Sequence, residues 1–317
     1  MKRRRLVLGS VAVVVGGAAA YRRLSRSGRD GAAGQAGDLG WGALEQPAPI
    51  TVKTGDGAQL AVWDVGQGPT VVLPHCWGCS HEVWLPVARR LVESGHRVVL
   101  YDQRGHGASG RGTAELSIPT LAHDLQAVLE DRDVHDAVLA GHSMGGMTIM
   151  SLATHRTDVL HERAKAIVLV ATAAADLGLG SAQVERAAAA LMASPVVSRA
   201  MRSSQGHRFV RGVFGDSPTA EHLELTRTLF ADCTPSVRAG FLTAMGTMNL
   251  LEGIATIEVP TTVVIGAKDR LTAPTHSDKM VSTIPGARLV TLPGRGHMLP
   301  LEDPDAVTDE IARAVKS

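Results

Sequence analysis

The sequence predicts an α/β fold: a mostly parallel central sheet flanked by helices, with a helical cap inserted between its later strands. Three observations carry that expectation. Short, nearly continuous apolar runs stand at residues 71–73, 98–101, 138–140 and 166–170, and runs without polar alternation suit strands covered on both faces. The segments between them, at 83–93 and 118–130, space their apolar residues at helical period. Strand, helix and strand in that order make a parallel sheet. Residues 173–258 then break the rhythm, with helix-like pieces at 183–192, 218–230 and 235–248 and no clear strand.

Taken in order, the first 46 residues belong to a different regime from the rest. Residues 1–23 read as a signal peptide or signal-anchor: Lys2 and Arg3 to Arg5 precede fifteen apolar or small residues, 6–20, and Arg22 and Arg23 follow. Fifteen helical residues span about 22 Å against a hydrocarbon core of about 30 Å, between an export signal and a spanning helix. Ala18, Ala19 and Ala20 would suit a cleavage site, and Arg3-Arg4 permits a twin-arginine signal. Arg22 and Arg23 favour a retained anchor instead, because positive charge on both flanks resists translocation. The expected location is the cell envelope, with membrane association through residues 6–20, or the cytoplasm if that segment is not inserted. Residues 24–46, rich in Gly, Ser, Ala and Arg, read as a flexible linker.

The core is expected over 47–172 and 259–317, with the cap over 173–258. Apolar runs at 50–53 and 60–63 flank Gly55-Asp56-Gly57, a hairpin signal. The sheet pattern resumes at 261–265 and 287–292. A last helix starts at Asp303-Pro304, where Asp is a good N-cap and Pro a good first helical residue.

A formal charge of +1 and 20% charged residues leave no basic excess, and 3% aromatics offer no stacking platform, so nucleic acid is excluded as a partner. Three cysteines make no disulfide framework, and no Cys/His spacing resembles a zinc site. No metal or cofactor is expected.

Within residues 136–150 an apolar strand runs through Gly141-His142-Ser143-Met144-Gly145 into a helix. A serine standing clear of such a turn needs small neighbours two positions away, and Gly141 and Gly145 supply them. The turn puts Ser143 at a helix N-terminus, where unpaired N–H groups favour developing negative charge. A serine hydroxyl needs a base to take its proton, and the base needs a third group to hold its tautomer. Asp269 and His297 follow the strands at 261–265 and 287–292, on the same sheet edge as Ser143.

With these motifs the sequence resembles the α/β-hydrolase superfamily, in the branch of bacterial esterases, lipases and cofactor-free haloperoxidase-like enzymes. The likeness runs from about residue 50 to residue 315. It rests on His75-Cys76-Trp77-Gly78, on the run from Tyr101 through Asp102, Gln103, Arg104, Gly105 and His106 to Ser109, and on the serine turn. Gly266-Ala267-Lys268-Asp269 and Gly296-His297, with Glu302-Asp303-Pro304 behind, complete it. The resemblance implies Ser143 as nucleophile, His297 as general base and acid, and Asp269 as the group orienting it. It also implies an oxyanion hole from the backbone N–H groups of Met144 and Trp77.

One departure stands out: the family has glycine after the loop histidine and this chain has Cys76. If that position required a positive φ, cysteine would cost about 1–2 kcal/mol and shift the loop. Cys76 and Cys79 also form a CxxC, readable as a redox dithiol or a local disulfide, although it sits inside a hydrolase loop. Asp102, Arg104 and His106 are expected to hold their Gly-rich turn together, and His142 to pack locally. The cap methionines Met192, Met201, Met245 and Met248 are expected as apolar filling that could also shape an acyl pocket. The function expected is a serine hydrolase cleaving small carboxylic esters with an apolar acyl group. Perhydrolysis of the haloperoxidase type, or thioester, amide or carbon–carbon cleavage on the same triad, is the alternative. A non-catalytic scaffold is a remote third.

Overall fold

The computed structural model describes residues 47–178 and 180–317. The targeting segment and linker expected within residues 1–46 lie outside these. Among the described residues no helix is long and apolar enough to cross a membrane.

The chain opens with the expected hairpin of β1 (Ile50–Lys53) and β2 (Gln59–Val65), paired antiparallel with Val52 opposite Leu60. β3 (Thr70–Pro74) leads through a 3-10 turn at His81–Trp84 into α1 (Leu85–Glu93) and β4 (Arg97–Tyr101). α2 (Ile118–Asp131) starts where the Ser117 hydroxyl accepts from the Thr120 N–H and Pro119 fits the first turn. β5 (Ala137–His142), α3 (Met144–His155), α4 (Thr157–Arg163) and β6 (Ala164–Val170) follow.

Between β6 and the next strand the described chain is helical. α5 (Ala182–Met192), α8 (Ala220–Asp232) and α9 (Pro235–Thr247) match the periodic stretches of the sequence, while α6 (Pro195–Met201), α7 (Ser204–Arg211) and α10 (Leu251–Ile254) were not foreseen. With seven, eight and four residues they are too short for a helical period to stand out, and the capping hydroxyls of Ser194 and Ser203, with Pro195 in the first turn of α6, mark the starts of the first two. The insertion leaves and re-enters the core at one place, where Ala175 and Asn249 make an isolated antiparallel bridge. β7 (Thr261–Gly266), α11 (Pro274–Thr283), β8 (Arg288–Leu292), α12 (Leu299–Glu302) and α13 (Pro304–Lys316) close the chain. Asp303 caps α13 as expected, accepting from the Ala306 N–H at 3.2 Å.

The eight strands form one sheet in the order β1-β2-β4-β3-β5-β6-β7-β8, parallel from β4 to β8. β3 lies between β4 and β5, so the chain reverses its direction of winding there. Ligands in such sheets lie beyond the carboxyl ends of the strands at that reversal. Successive residues feed opposite cores: Leu139, Ile167 and Leu169 pack on one face, and Val138, Ala140, Val168 and Val170 on the other. Covering both faces explains the apolar runs without alternation.

The Gly-rich segment after β4 is held by buried charges. The Arg104 guanidinium binds both carboxylate oxygens of Asp124 and both of Asp56. Asp102 accepts from the backbone N–H of His81 and of Ala108. These residues have the structural role the sequence suggested. Because Arg104 and Asp124 are almost fully buried, removing the Asp124 carboxylate takes two charge-assisted hydrogen bonds from the guanidinium and leaves Asp56 as its remaining carboxylate partner. Asp124→Ala is therefore expected to lower the unfolding free energy by about 2–3 kcal/mol, measured by denaturant titration with the slope unchanged.

Candidate active site

Three strand ends converge on one cavity. At the end of β5 the backbone turns through Ser143 with φ 53° and ψ −116°, a region that a residue with a Cβ occupies at a cost of about 1–3 kcal/mol. Four hydrogen bonds hold it there. The Ser143 N–H donates to the Val170 carbonyl at 2.9 Å, and the Ser143 carbonyl accepts from Gly146 N, Met147 N and the Thr172 hydroxyl. The Ser143 side chain makes no capping bond to its own helix and faces the cavity instead.

Gly141 and Gly145 are required for close approach rather than for a positive φ. A Cβ on Gly145 would stand 2.1 Å from the Pro74 carbonyl oxygen at the end of β3, and one on Gly141 would stand 2.4 Å from the Gly145 carbonyl oxygen.

Asp269 lies beyond β7 and His297 beyond β8. His297 Nδ1 is 2.8 Å from Asp269 Oδ2, and both residues are buried. Asp269 is saturated: Oδ1 accepts from the N–H groups of Leu271 and Thr272, and Oδ2 also accepts from the Thr272 hydroxyl. An ionised carboxylate only accepts, so Nδ1 carries the proton and Nε2 keeps its lone pair. Burial pushes the Asp269 carboxyl up, but His297 and the Thr272 bonds outweigh it and leave its pKa lowered. Burial likewise disfavours the His297 cation, and the Asp269 charge outweighs that, leaving its pKa raised. The stability that the raised His297 value contributes is present below about pH 6.5 and lost as pH rises through the folded-state value. That from Asp269 is present above about pH 3.9 and lost as pH falls through its own.

Two supports went unread in the sequence. Thr272 carries no motif. Glu302 stood only as part of a flanking run; its carboxylate accepts from the backbone N–H of Gly215, Gly296 and Met298, so it clamps the His297 loop from behind.

The loop after β3 supplies the remaining wall. Cys76 is not among the non-glycine residues at positive φ, so the strain considered for it is absent. The left-handed position is Gly78, φ 72°, where a Cβ would meet the Phe230 ring at 2.5 Å. The loop is fixed from the segment after β4: Gln103 N donates to His75 Nε2 at 2.9 Å and Gly78 N to His106 Nε2 at 3.1 Å. His106 thus does more than hold its own turn. The Trp77 indole donates to the Arg238 carbonyl at 3.1 Å and its ring meets Phe230 edge-on, tying the loop to α8 and α9. Met144 opens α3, so its N–H is one of the first-turn donors a helix leaves unpaired.

The cavity has a volume of about 350 Å³. Ser143, His297, Cys76, Trp77 and Cys79 line it from the core loops, and Met201, Phe209, Val213, Phe230, Leu242 and Met245 from the segment between β6 and β7. Of the four cap methionines, Met201 and Met245 face it, while Met192 and Met248 are buried in the two cores. His142 does not pack locally: its Nε2 lies 2.8 Å from the His297 carbonyl oxygen, 155 residues away. Cys76 and Cys79 are both free thiols.

The guanidinium of Arg238 is enclosed by the cap. It donates to the Phe230, Cys233 and Met192 carbonyls and to the Ser198 hydroxyl, drawing together α5, α6 and α8. Two of those carbonyls, Met192 and Phe230, belong to the last turns of helices, where the dipole favours a cation.

Residues 71–310 match the model of the alpha/beta hydrolase family, and the chain belongs to that family. It is 26% identical over 278 residues to YisY, an AB hydrolase superfamily protein of Bacillus subtilis, spanning 83% of this chain and 97% of the relative. It is 28% identical over 275 residues to a putative non-heme haloperoxidase of Mycobacterium phage D29, at 84% and 94% coverage. A 3-oxoadipate enol-lactonase of Acinetobacter baylyi is 25% identical over 251 residues, at 78% and 89% coverage. Among solved structures, a hydrolase from Pseudomonas aeruginosa superposes with a TM-score of 0.71 at 27% identity, covering 85% of this chain and 98% of that one. An esterase from Exiguobacterium antarcticum has the same fold, with a TM-score of 0.75 at 22% identity and 85% and 100% coverage.

The direct bond between His297 and Asp269 predicts that His297 titrates above the usual imidazole value of about 6.5. Asp269→Asn should lower that midpoint, read from the imidazole resonances by NMR. An unchanged midpoint would mean that the carboxylate exerts no field on the ring.

Proposed function

We propose that this hydrolase cleaves carboxylic esters of small molecules through an acyl-enzyme on Ser143. One observation carries the reading: a serine held in a strained turn faces the same cavity as a buried histidine whose Nδ1 is bonded to a buried aspartate. In this reading His297 Nε2 takes the Ser143 proton as Oγ attacks the ester carbonyl. His297 then gives that proton to the departing alcohol, and a water activated the same way releases the acid. Asp269 holds the tautomer and stabilises the imidazolium, and the raised pKa of His297 expresses that stabilisation. Since the base must be neutral, turnover should rise with pH through the His297 value. The N–H groups of Met144 and Trp77 would receive the developing oxyanion, each worth about 10² to 10³ in rate. The apolar cap side of the cavity favours an apolar acyl group.

Hydrolysis of lactones or perhydrolysis on the same three residues is the second reading, favoured by the enol-lactonase and haloperoxidase relatives. A substrate panel of esters with graded acyl length, a lactone, and acetate with hydrogen peroxide separates the two. Ser143→Ala is expected to reduce turnover by about 10⁴-fold or more and to abolish labelling by a fluorophosphonate probe. Persistent labelling of the variant would defeat the assignment.

We propose in addition that residues 6–20 carry the chain to the cell envelope, on the strength of their apolar run between basic flanks. N-terminal sequencing of membrane and soluble fractions is expected to find the chain with the membrane. Recovery of the intact N-terminus in the soluble cytoplasm alone would overturn this.

A further inference from the structure

The two cysteines of the loop after β3 take no part in the serine chemistry, and their surroundings are those of a reactive pair. The Cys79 N–H donates to the Cys76 carbonyl at 3.4 Å, with Gly78 at φ 72°, so residues 76–79 make a four-residue turn. Such a turn keeps its end Cα atoms within about 7 Å, and a disulfide spans Cα separations of about 4.4–6.8 Å. Both thiols are free and buried, at 3% and 4% exposure, yet both line the cavity, so a small solute entering it meets them.

A second observation comes from β5. His142 is fully buried, and its Nε2 faces the carbonyl oxygen of His297, which can only accept. Nε2 therefore carries the proton and Nδ1 keeps a lone pair. That Nδ1 is buried with no hydrogen-bond partner, and the ring lies within electrostatic reach of the Cys76 thiol without a well-aligned bond. An unpartnered buried acceptor offers a place for a proton from the neighbouring sulfur. The sulfurs are unequal in the sense this requires. The neighbouring Cys79 thiol holds the Cys76 thiol well below its usual range, and His142 adds to that effect; Cys76 and burial push Cys79 well above it.

We propose that Cys76, with His142 as proton acceptor and Cys79 as resolving thiol, forms a peroxide-reactive dithiol site in the wall of the cavity. The co-reactant is hydrogen peroxide or a small alkyl hydroperoxide. The Cys76 sulfur attacks the terminal peroxide oxygen and the O–O bond breaks. The departing oxygen takes the proton that His142 received from Cys76, leaving as water or alcohol. Cys76 is then a sulfenic acid. The Cys79 sulfur attacks it, the S–O bond breaks, and water leaves with the Cys79 proton. Two thiols and one peroxide give one disulfide, one water or alcohol, and one water; each sulfur loses one electron and the peroxide gains two.

The test exposes the full chain to stoichiometric hydrogen peroxide, then denatures it, alkylates it and maps it by mass spectrometry. Cys76 and Cys79 are expected to be recovered as a disulfide, lighter by two hydrogens, with Cys233 still alkylated. In Cys79→Ser, Cys76 should stop as a sulfenic acid trapped by dimedone, and His142→Gln should slow its oxidation by roughly tenfold. Ser143→Ala should oxidise at the wild-type rate, which separates this site from the ester reading and holds even if His142→Gln does not fold. Cys76 still fully alkylatable after peroxide, no dimedone adduct in Cys79→Ser, or Cys233 oxidising as fast as Cys76 would each overturn the proposal.

Discussion

The site depends on how near the start of α3 comes to the end of β3. No atom can stand where a Cβ of Gly145 would be, because the Pro74 carbonyl oxygen already occupies that space. Only with that contact can β5 lie directly beside β3 and bring Ser143 next to the loop that begins at His75. Ser143's strain follows from the same geometry. A left-handed residue with a side chain persists because the Val170 carbonyl and the Thr172 hydroxyl fix it from both sides. Backbone packing therefore positions the hydroxyl before any polar side chain acts on it.

Electrostatics then work within a dry frame. Asp269 is buried, and a lone carboxylate there would protonate; three hydrogen bonds besides that of His297 keep it ionised. Its charge is felt by His297 with little solvent screening, and Glu302 fixes the loop that carries the imidazole. The cap contributes through contact rather than charge. Its apolar side chains complete the cavity, and Trp77 connects it to the loop expected to hold the oxyanion.

Much of this was legible in the chain. Apolar runs without alternation located β3 to β7, because strands covered on both faces leave no polar register to misread. A turn and two strand ends point to Ser143, Asp269 and His297, and the structure places Ser143 and His297 on one cavity with Asp269 bonded to His297 behind it. What escaped were features set by tertiary contact. α6 and α7 are too short for periodicity to reveal, and Thr272 gains its meaning only because β7 and β8 are neighbours. The Cys76 position shows the limit of reasoning from a motif alone: the left-handed φ falls two residues later, at Gly78, where a ring from the cap fills the space of the missing side chain. His142 shows the same limit, since nothing in the sequence announces a bond 155 residues distant.

Arg238 gives the cap a property that single side chains do not show. No carboxylate among the described residues pairs with its guanidinium; its charge is dispersed over carbonyls at the ends of α5 and α8 and a hydroxyl on α6. Apart from the Ser198 hydroxyl those acceptors are backbone carbonyls, so they are indifferent to side-chain replacement but intolerant of changes in helix length or register. The lining of the cavity is thus free to drift residue by residue, whereas the helices around Arg238 have to be exchanged together. A chimera that transplants one of them would leave the cation without its cage, and one that transplants the whole segment between Ala175 and Asn249 would carry the cage with it.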